Sequence, residues 1–178
     1  FGQLFARDSM AQTDTVDRIL DAAEELFAER GFSETSLRMI TGKAGVNLAA
    51  VNYHFGSKKS LIQAVFARFL TPFCIALEAA FDRLEAEAAP EPPDLESVLR
   101  VLTSTLVEMP RQHDRSIAIY MRLQGLAYTQ SQGHLRRFLE AEYSHTFDRF
   151  MRLLKNATPE LSAVERYWRN QFMLGATA

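Results

Sequence analysis

Three glycines govern what this chain can fold into. Gly31, Gly45 and Gly56 are each followed within two residues by a strong helix-opening residue, Ser33, Asn47 and Ser57. Glycine accepts the left-handed backbone that closes a helix, and Ser or Asn accepts the free amides that open the next. The spacing leaves room for two short helices, about Leu37 to Ala44 and about Leu48 to Phe55. Two short helices around a glycine turn are the pattern of a helix-turn-helix.

Helical periodicity holds on both sides of this corner. Val16, Leu20, Ala23 and Phe27 form an apolar stripe widened by Ile19 and Leu26, which predicts a first helix ended by Gly31. A long helix from Ser57 carries Leu61, Ile62, Val65, Phe66, Phe69 and Leu70 inward, with a kink expected before Pro72 and an end near Ala88. Residues 89–93 read as a linker, Asp94 as the cap of a helix to about Met109, and Arg115 to Tyr128 as the next helix. His134 to Asn156 and a final helix opened by the capping box from Ser162 to Glu165 complete the pattern. No segment alternates with a period of two, so an all-α fold is expected, with eight helices and a ninth beyond Ala178. Residues 1–9 read as a scar or disordered extension, 10–57 as an amino-terminal three-helix helix-turn-helix domain, and 58–178 as a larger helical domain truncated at its end.

Charge then favours a polyanion at the corner. The net charge of 178 residues is only -2, from 20 Lys+Arg and 22 Asp+Glu, but the distribution is uneven. Seven acids face two bases between Met10 and Glu34, whereas Thr35 to Leu77 holds no acid and carries Arg38, Lys43, Lys58, Lys59 and Arg68. The single cysteine, Cys74, excludes an internal disulfide and fits a cytoplasmic protein. No apolar run is read as approaching the roughly 20 residues of a membrane span.

If the second and third helices pack on one another, Ile40, Ala44, Val46, Val51 and Phe55 supply the inner faces. Ala49 and Tyr53 then turn outward with Ala50 and Asn52 beside them, while a helical wheel puts Leu48 near the inner face. Ala49 or Ala50 can touch a thymine methyl, and Asn52 can pair with adenine. Tyr53, His54 and Lys58 are placed to grip phosphates, the last near a helix amino terminus. The alternative is a packed three-helix corner with exposed polar residues and no ligand.

Ile19-Leu20-Asp21-Ala22-Ala23, Leu26-Phe27-Ala28-Glu29-Arg30-Gly31-Phe32, Thr35-Ser36-Leu37-Arg38, Ala44-Gly45-Val46-Asn47 and Tyr53-His54-Phe55-Gly56-Ser57-Lys58-Lys59-Ser60-Leu61 together resemble the amino-terminal domain of TetR-family transcriptional repressors. The likeness covers about Thr15 to Phe69. It implies a homodimer in which 10–57 form the DNA-binding domain and 58–178 the effector-binding and dimerisation domain, with operator contacts at Ser36, Arg38, Leu48, Ala49, Asn52, Tyr53, His54 and Lys58. Thr41 and Asn52 depart from the alanine and tyrosine that many relatives carry there. The stretches 47–55, 121–128 and 130–140 further resemble fatty-acid-responsive members of that family.

Thirteen phenylalanines supply either a core or the walls of an effector site. The resemblance favours a site for an apolar chain with an anionic head, and Phe69, Phe73, Ile119, Arg122, Phe147, Met151 and Phe172 are its candidate residues. Arg122 is the only charge from Ile117 to Tyr128. Read as buried, it either pairs with Glu140 or Glu142 or anchors the ligand's head. Val164, Trp168, Phe172 and Gly175 give the last helix an apolar side suited to a partner subunit. Enzyme chemistry finds no constellation: Glu142 and His145 lack the second Glu-x-x-His pair of a di-iron bundle, and Cys74 has no base near it in sequence. No catalytic residue, cofactor or metal is expected. The competing function is a helical adaptor whose basic segment binds an acidic protein or lipid surface.

Overall fold

The structure, a computed structural model, describes residues 2–108, 117–130 and 132–176, with the side chains of 2–11, 117 and 170–176 outside that description. These residues form eight helices: α1 (Gly2–Glu34), α2 (Leu37–Ala44), α3 (Leu48–Phe55), α4 (Lys58–Ala88), α5 (Leu95–Glu108), α6 (Ile117–Thr129), α7 (Gly133–Ala157) and α8 (Ala163–Ala176). Helical backbone begins at Gly2, where a disordered extension was expected. From Gln3 to Arg30 the sequence contains neither glycine nor proline, so nothing interrupts propagation. Gly31, at φ 83 and ψ 171, breaks the helical geometry inside α1, but helix resumes to Glu34. The second helix is consequently capped by Ser36 and not by Ser33.

Two compact units divide the chain. One comprises Phe1–Ala67 with Ser116–Leu135, the other Arg68–Arg115 with Arg136–Ala178. The division falls within α4, ten residues past the expected boundary at 57/58, and assigns α6 to the amino-terminal unit.

In the first unit Ile19, Leu20, Ala22, Ala23, Leu26 and Phe27 of α1 are buried, as are Ile40, Ala44, Val51, Leu61, Ile62, Val65 and Phe66. A chain of rings runs through this core: Phe27 to Phe32 at 5.3 Å, Phe32 to Phe66 at 6.3 Å, and Phe66 to Tyr120 of α6 at 6.0 Å. At the α1 kink the Phe32 amide donates to Oε1 of Gln130 at 3.0 Å. The left-handed φ at residue 31 favours glycine, and a Cβ there would also press on the Gln130 carboxamide. The buried Thr35 hydroxyl lies 2.8 Å from the Gly31 carbonyl and 3.0 Å from that of Leu26, offering its one proton to the kink.

The second unit is centred on Leu77, Phe81, Val98, Phe150, Leu153 and Leu154, with Phe73 and Met151 among the half-buried residues around them. Phe81 and Phe150 stack at 6.3 Å with an interplanar angle of 8°. Glu78, Asp82 and Glu85 follow one another on one face of α4 at helical spacing. Arg149 of α7 meets all three, bonding Glu78 at 2.6 Å and Asp82 at 2.7 Å and reaching Glu85, while its guanidinium carbon lies 5.7 Å from the Phe81 ring centre. Burial alone would weaken that charge, but the hydrogen bonds that the guanidinium donates to Glu85, Glu78 and Asp82 outweigh it and hold the group more firmly protonated than usual. Asp94 caps α5 by accepting the Ser97 amide at 2.7 Å. Ser162 and Glu165 form the expected reciprocal capping box, at 3.0 and 3.2 Å.

α4 passes through Pro72 as one helix. It is also long and apolar enough by length and composition to cross a membrane, with mean hydropathy 1.7 over its most apolar window, contrary to the expectation that no such run exists. The polar residues within it are few, but its apolar face has another use. Leu61, Ile62, Val65 and Phe66 are core of the first unit, and Leu77 and Phe81 of the second.

Candidate nucleic-acid interface

Local chemistry fixes the α2–α3 corner. The Ser36 hydroxyl accepts the Met39 amide at 3.2 Å, opening α2. Gly45 closes that helix at φ 65 and ψ 35, donating its own amide to the Thr41 carbonyl. Arg18 of α1 clamps the turn, donating from Nη2 to the Ala44 carbonyl at 2.6 Å and the Gly45 carbonyl at 3.0 Å. Cation and carbonyl dipole attract here, at the negative end of α2. A Cβ at residue 45 would stand 2.8 Å from that nitrogen, so the turn requires glycine for its φ and for its clamp. Asn47 opens α3 by accepting the Ala50 amide at 2.9 Å, and Gly56 ends it by donating to the Asn52 carbonyl at 2.9 Å. The Ser57 hydroxyl then accepts the Ser60 amide at 3.1 Å at the start of α4.

This scaffold turns Ile40, Ala44 and Val51 inward, all buried. Ser36, Arg38, Ala49, Asn52 and Tyr53 are exposed, and Tyr53 is 76% exposed despite its aromatic ring. Leu48, placed near the inner face by the helical wheel, is exposed at 39%. As the first residue of α3 it precedes the turn that packs on α2, so the wheel of the helix interior does not apply to it. Ala50 and His54 are half-buried, and the His54 ring lies edge-on to Tyr53 at 5.0 Å. Thr41 is accommodated in its buried place by donating its hydroxyl proton to the Arg38 carbonyl at 3.0 Å.

The cations differ in availability. Lys43 is bound to Glu25 at 2.6 Å. Lys58 is half-buried with its ammonium 3.5 Å from the Ser33 carbonyl; burial lowers its pKa, which Glu34 opposes in part. Arg38 and Lys59 are exposed. The sequence could not show that an acid on α1 claims one of the five bases.

The candidate effector residues are not assembled into one cavity within either unit. Ile119 and Arg122 belong to the first unit and Phe69, Phe73, Phe147 and Met151 to the second, while the Phe172 side chain lies outside the described residues. Arg122, expected to be buried, is exposed and makes no ion pair among the described residues. Leu123 takes the buried position on α6, and Glu140, one of the two expected partners, is paired with Arg136 at 2.9 Å. Phe147 is 53% exposed because α7 directs Thr146, Phe150, Leu153 and Leu154 inward. Phe69 and Phe73 stack at 6.0 Å, and Phe73 and Met151 border the second core. A groove of about 170 Å³ between α4 and α5 is lined in part by Arg83, Glu87, Glu108, Leu84 and Val101 and contains none of the seven. Cys74 is half-buried beside Thr146, and burial pushes its thiol up, away from nucleophilic use. His145 reaches Glu78 at 3.2 Å.

Comparison with known proteins agrees with this geometry. Residues 19–65 match the family of bacterial regulatory proteins, tetR family, and residues 100–178 match a tetracyclin repressor-like C-terminal domain. The chain is 32% identical over 80 residues to a probable HTH-type transcriptional regulator, YttP, of Bacillus subtilis, an alignment that spans 45% of this chain and 39% of that protein. The chain thus matches less than half the length of that curated relative. Its fold is similar to that of HlyIIR, a hemolysin II transcriptional regulator, with a TM-score of 0.58 at 21% identity over 92% of this chain and 87% of the other. It is likewise similar to the fatty acid degradation regulator FadR from Bacillus halodurans, with a TM-score of 0.53 at 18% identity over 91% and 79%.

Proposed function

This chain belongs to the TetR family of bacterial regulatory proteins, and on that premise we propose that it is a homodimeric repressor that binds operator DNA through α2 and α3 and is released by a small amphipathic effector. The observation that carries the reading is the α2–α3 corner: a rigid, capped turn presenting Ser36, Arg38, Leu48, Ala49, Asn52 and Tyr53 to solvent with no acidic side chain among them. Ala50, His54 and Lys58, half-buried at its margin, complete the proposed contact surface. Two such corners related by a two-fold axis fit a pseudo-palindrome whose half-sites lie about 34–36 Å apart or a multiple of that.

Exposure along α8 supports the dimer. Val164, Tyr167 and Trp168 are 66%, 55% and 57% exposed in the single chain, more apolar surface on one helix than water tolerates without a partner. For the effector, the proposal is a long-chain fatty acid or its thioester. It rests on the likeness to the fatty-acid-responsive regulator PsrA in 121–128 and 130–140, and a regulator of fatty acid degradation occurs among proteins of this fold. Arg122, exposed and unpaired among the described residues, remains the candidate for the anionic head. The protein acts in the cytoplasm, away from the membrane, in this reading. α4 links the ends of the switch by connectivity: it starts at Lys58 beside the DNA-reading corner and carries Phe69 and Phe73 further on. An effector loosens DNA only through its difference in affinity for the two conformations, about 1.4 kcal/mol for each tenfold.

Footprinting the upstream DNA of the gene itself tests this. Protection of one palindrome is expected, lost in Tyr53→Ala and relieved by a long-chain acyl thioester. Binding that is equal for all DNA sequences, or for anionic vesicles, would favour the adaptor instead. Protection unmoved by saturating acyl compounds would remove the fatty-acid reading alone.

A further inference from the structure

We propose that the operator half-site is read mainly through thymine methyl groups, with one guanine recognised by Arg38; this rests on the operator-binding reading above. The reason is what α3 exposes and what it lacks. Among its eight residues, Leu48, Ala49, Asn52 and Tyr53 are exposed, and none carries a charge. Asn47, just before the helix, has its side-chain oxygen committed to the Ala50 amide. The fully exposed hydrogen-bonding side chains of α3 are therefore one carboxamide, on Asn52, and one phenol, on Tyr53, with the half-buried imidazole of His54 at the margin. The other exposed side chains of α3, Leu48 and Ala49, offer only methyl and methylene.

In the major groove the only apolar feature that a base offers is the C5-methyl of thymine, whereas guanine is read by a cation reaching O6 and N7. Leu48 and Ala49 thus match methyls, and Asn52 matches an adjacent adenine. Four residues of helix separate Leu48 from Asn52, about 6 Å of rise, which covers roughly two base steps at 3.4 Å each. The half-site should contain at least two adjacent A·T pairs under α3.

Guanine reading falls to α2 by elimination of its other cation. Lys43, at the last turn, is held by Glu25 at 2.6 Å, while Arg38, in the first turn, is exposed and has no ion pair among the described residues. Arg38 sits beyond the capped start of α2, so its guanine should flank the A·T pairs and not interrupt them. Leu48 is accordingly a specificity-determining residue that a polarity-based scan of the helix would pass over.

The test uses the whole protein and a duplex library with a randomised core. Enrichment of a palindrome whose half-sites carry adjacent A·T pairs and one flanking G·C supports the proposal. Replacing each thymine of that site by deoxyuridine removes the methyl and preserves pairing. Weakening of the wild type by about threefold or more at one or two positions is expected, with the loss abolished at one position in Leu48→Ala. Arg38→Ala should reduce the preference for the flanking guanine by about 5- to 150-fold. Enriched half-sites with G·C pairs at the centre of α3 contact, or deoxyuridine without effect everywhere, overturns the methyl reading and leaves the operator function standing. No enrichment at all overturns both. The deoxyuridine arm alters only the DNA, so its result is independent of whether any variant folds.

Discussion

Phe81→Ala is expected to destabilise the second unit by about 3–5 kcal/mol, the cost of deleting a fully buried aromatic ring. Phe81 is 0% exposed, stacks on Phe150, and lies beneath the Arg149 guanidinium. Its removal therefore empties a site walled by both α4 and α7 and loses the ring contact of a cation held in place by three carboxylates. Those three anchors prevent Arg149 from collapsing into the gap, which puts the cost toward the upper part of the range. For a protein of this size the melting temperature should fall by roughly 6–20 °C. Urea unfolding with an unchanged slope would confirm a loss of stability without a change in exposed surface. A melting temperature within 3 °C of wild type would mean that the unit repacks and that Phe81 is not its centre.

Arg149→Ala should cost about 2–4 kcal/mol near neutral pH. Removing the cation of this half-buried network leaves its counter-charges unneutralised, though the 72% exposure of Asp82 and the 37% exposure of Glu85 screen their shares. The pH dependence separates this from lost packing. Burial alone would raise the Glu78 pKa, but hydrogen bonds from Arg149, Thr146 and His145 and the Arg149 charge hold it below its ordinary value of 4.5. A carboxyl depressed in the folded state stabilises above its unfolded pKa and ceases to do so as pH falls through the folded value. Wild type should thus lose stability on acidification below about pH 4.5. The variant should lose less, because protonation relieves repulsion among Glu78, Asp82 and Glu85. Arg149→Met, which keeps an apolar stem against Phe81, should recover part of the stability at neutral pH and show the same narrowing. Stabilities of wild type and Arg149→Ala that descend in parallel from pH 5 to pH 2 would refute an electrostatic role.

The α2–α3 corner was legible in the sequence because its determinants are local. Gly45, Asn47 and Gly56 act within four residues of themselves, and their spacing alone set α2 and α3. The inward set of Ile40, Ala44 and Val51 followed from the same periodicity. Leu48 was misplaced by a rule that holds inside a helix and fails at its first residue. Contacts that decide availability were out of reach: nothing near Lys43 in sequence announces Glu25, and nothing in a helix as apolar as α6 says that Arg122 faces solvent while Leu123 is covered. The Arg149 site stands between these cases. Three acids on one face of α4 at four- and three-residue intervals ask for a cation, and that pattern could have been noticed, although the partner is more than sixty residues away.

The union of Phe1–Ala67 with Ser116–Leu135 in one unit also sets an order of events during synthesis. The ring ladder from Phe27 to Phe66 is translated early, but Tyr120, Leu123 and Leu135 that complete its burial arrive late. At 5–20 residues per second, the roughly 70 residues between Ala67 and Leu135 occupy about 3–14 s. For that interval Phe32 lacks the amide partner supplied by Gln130, 98 residues on, and Phe66 has an open edge. A nascent chain paused in this window presents apolar aromatic surface to chaperones and to other nascent chains. The three amino-terminal helices are therefore not an independently transplantable cassette: a hybrid that borrows residues 1–57 alone leaves behind the α4 and α6 residues that close their core.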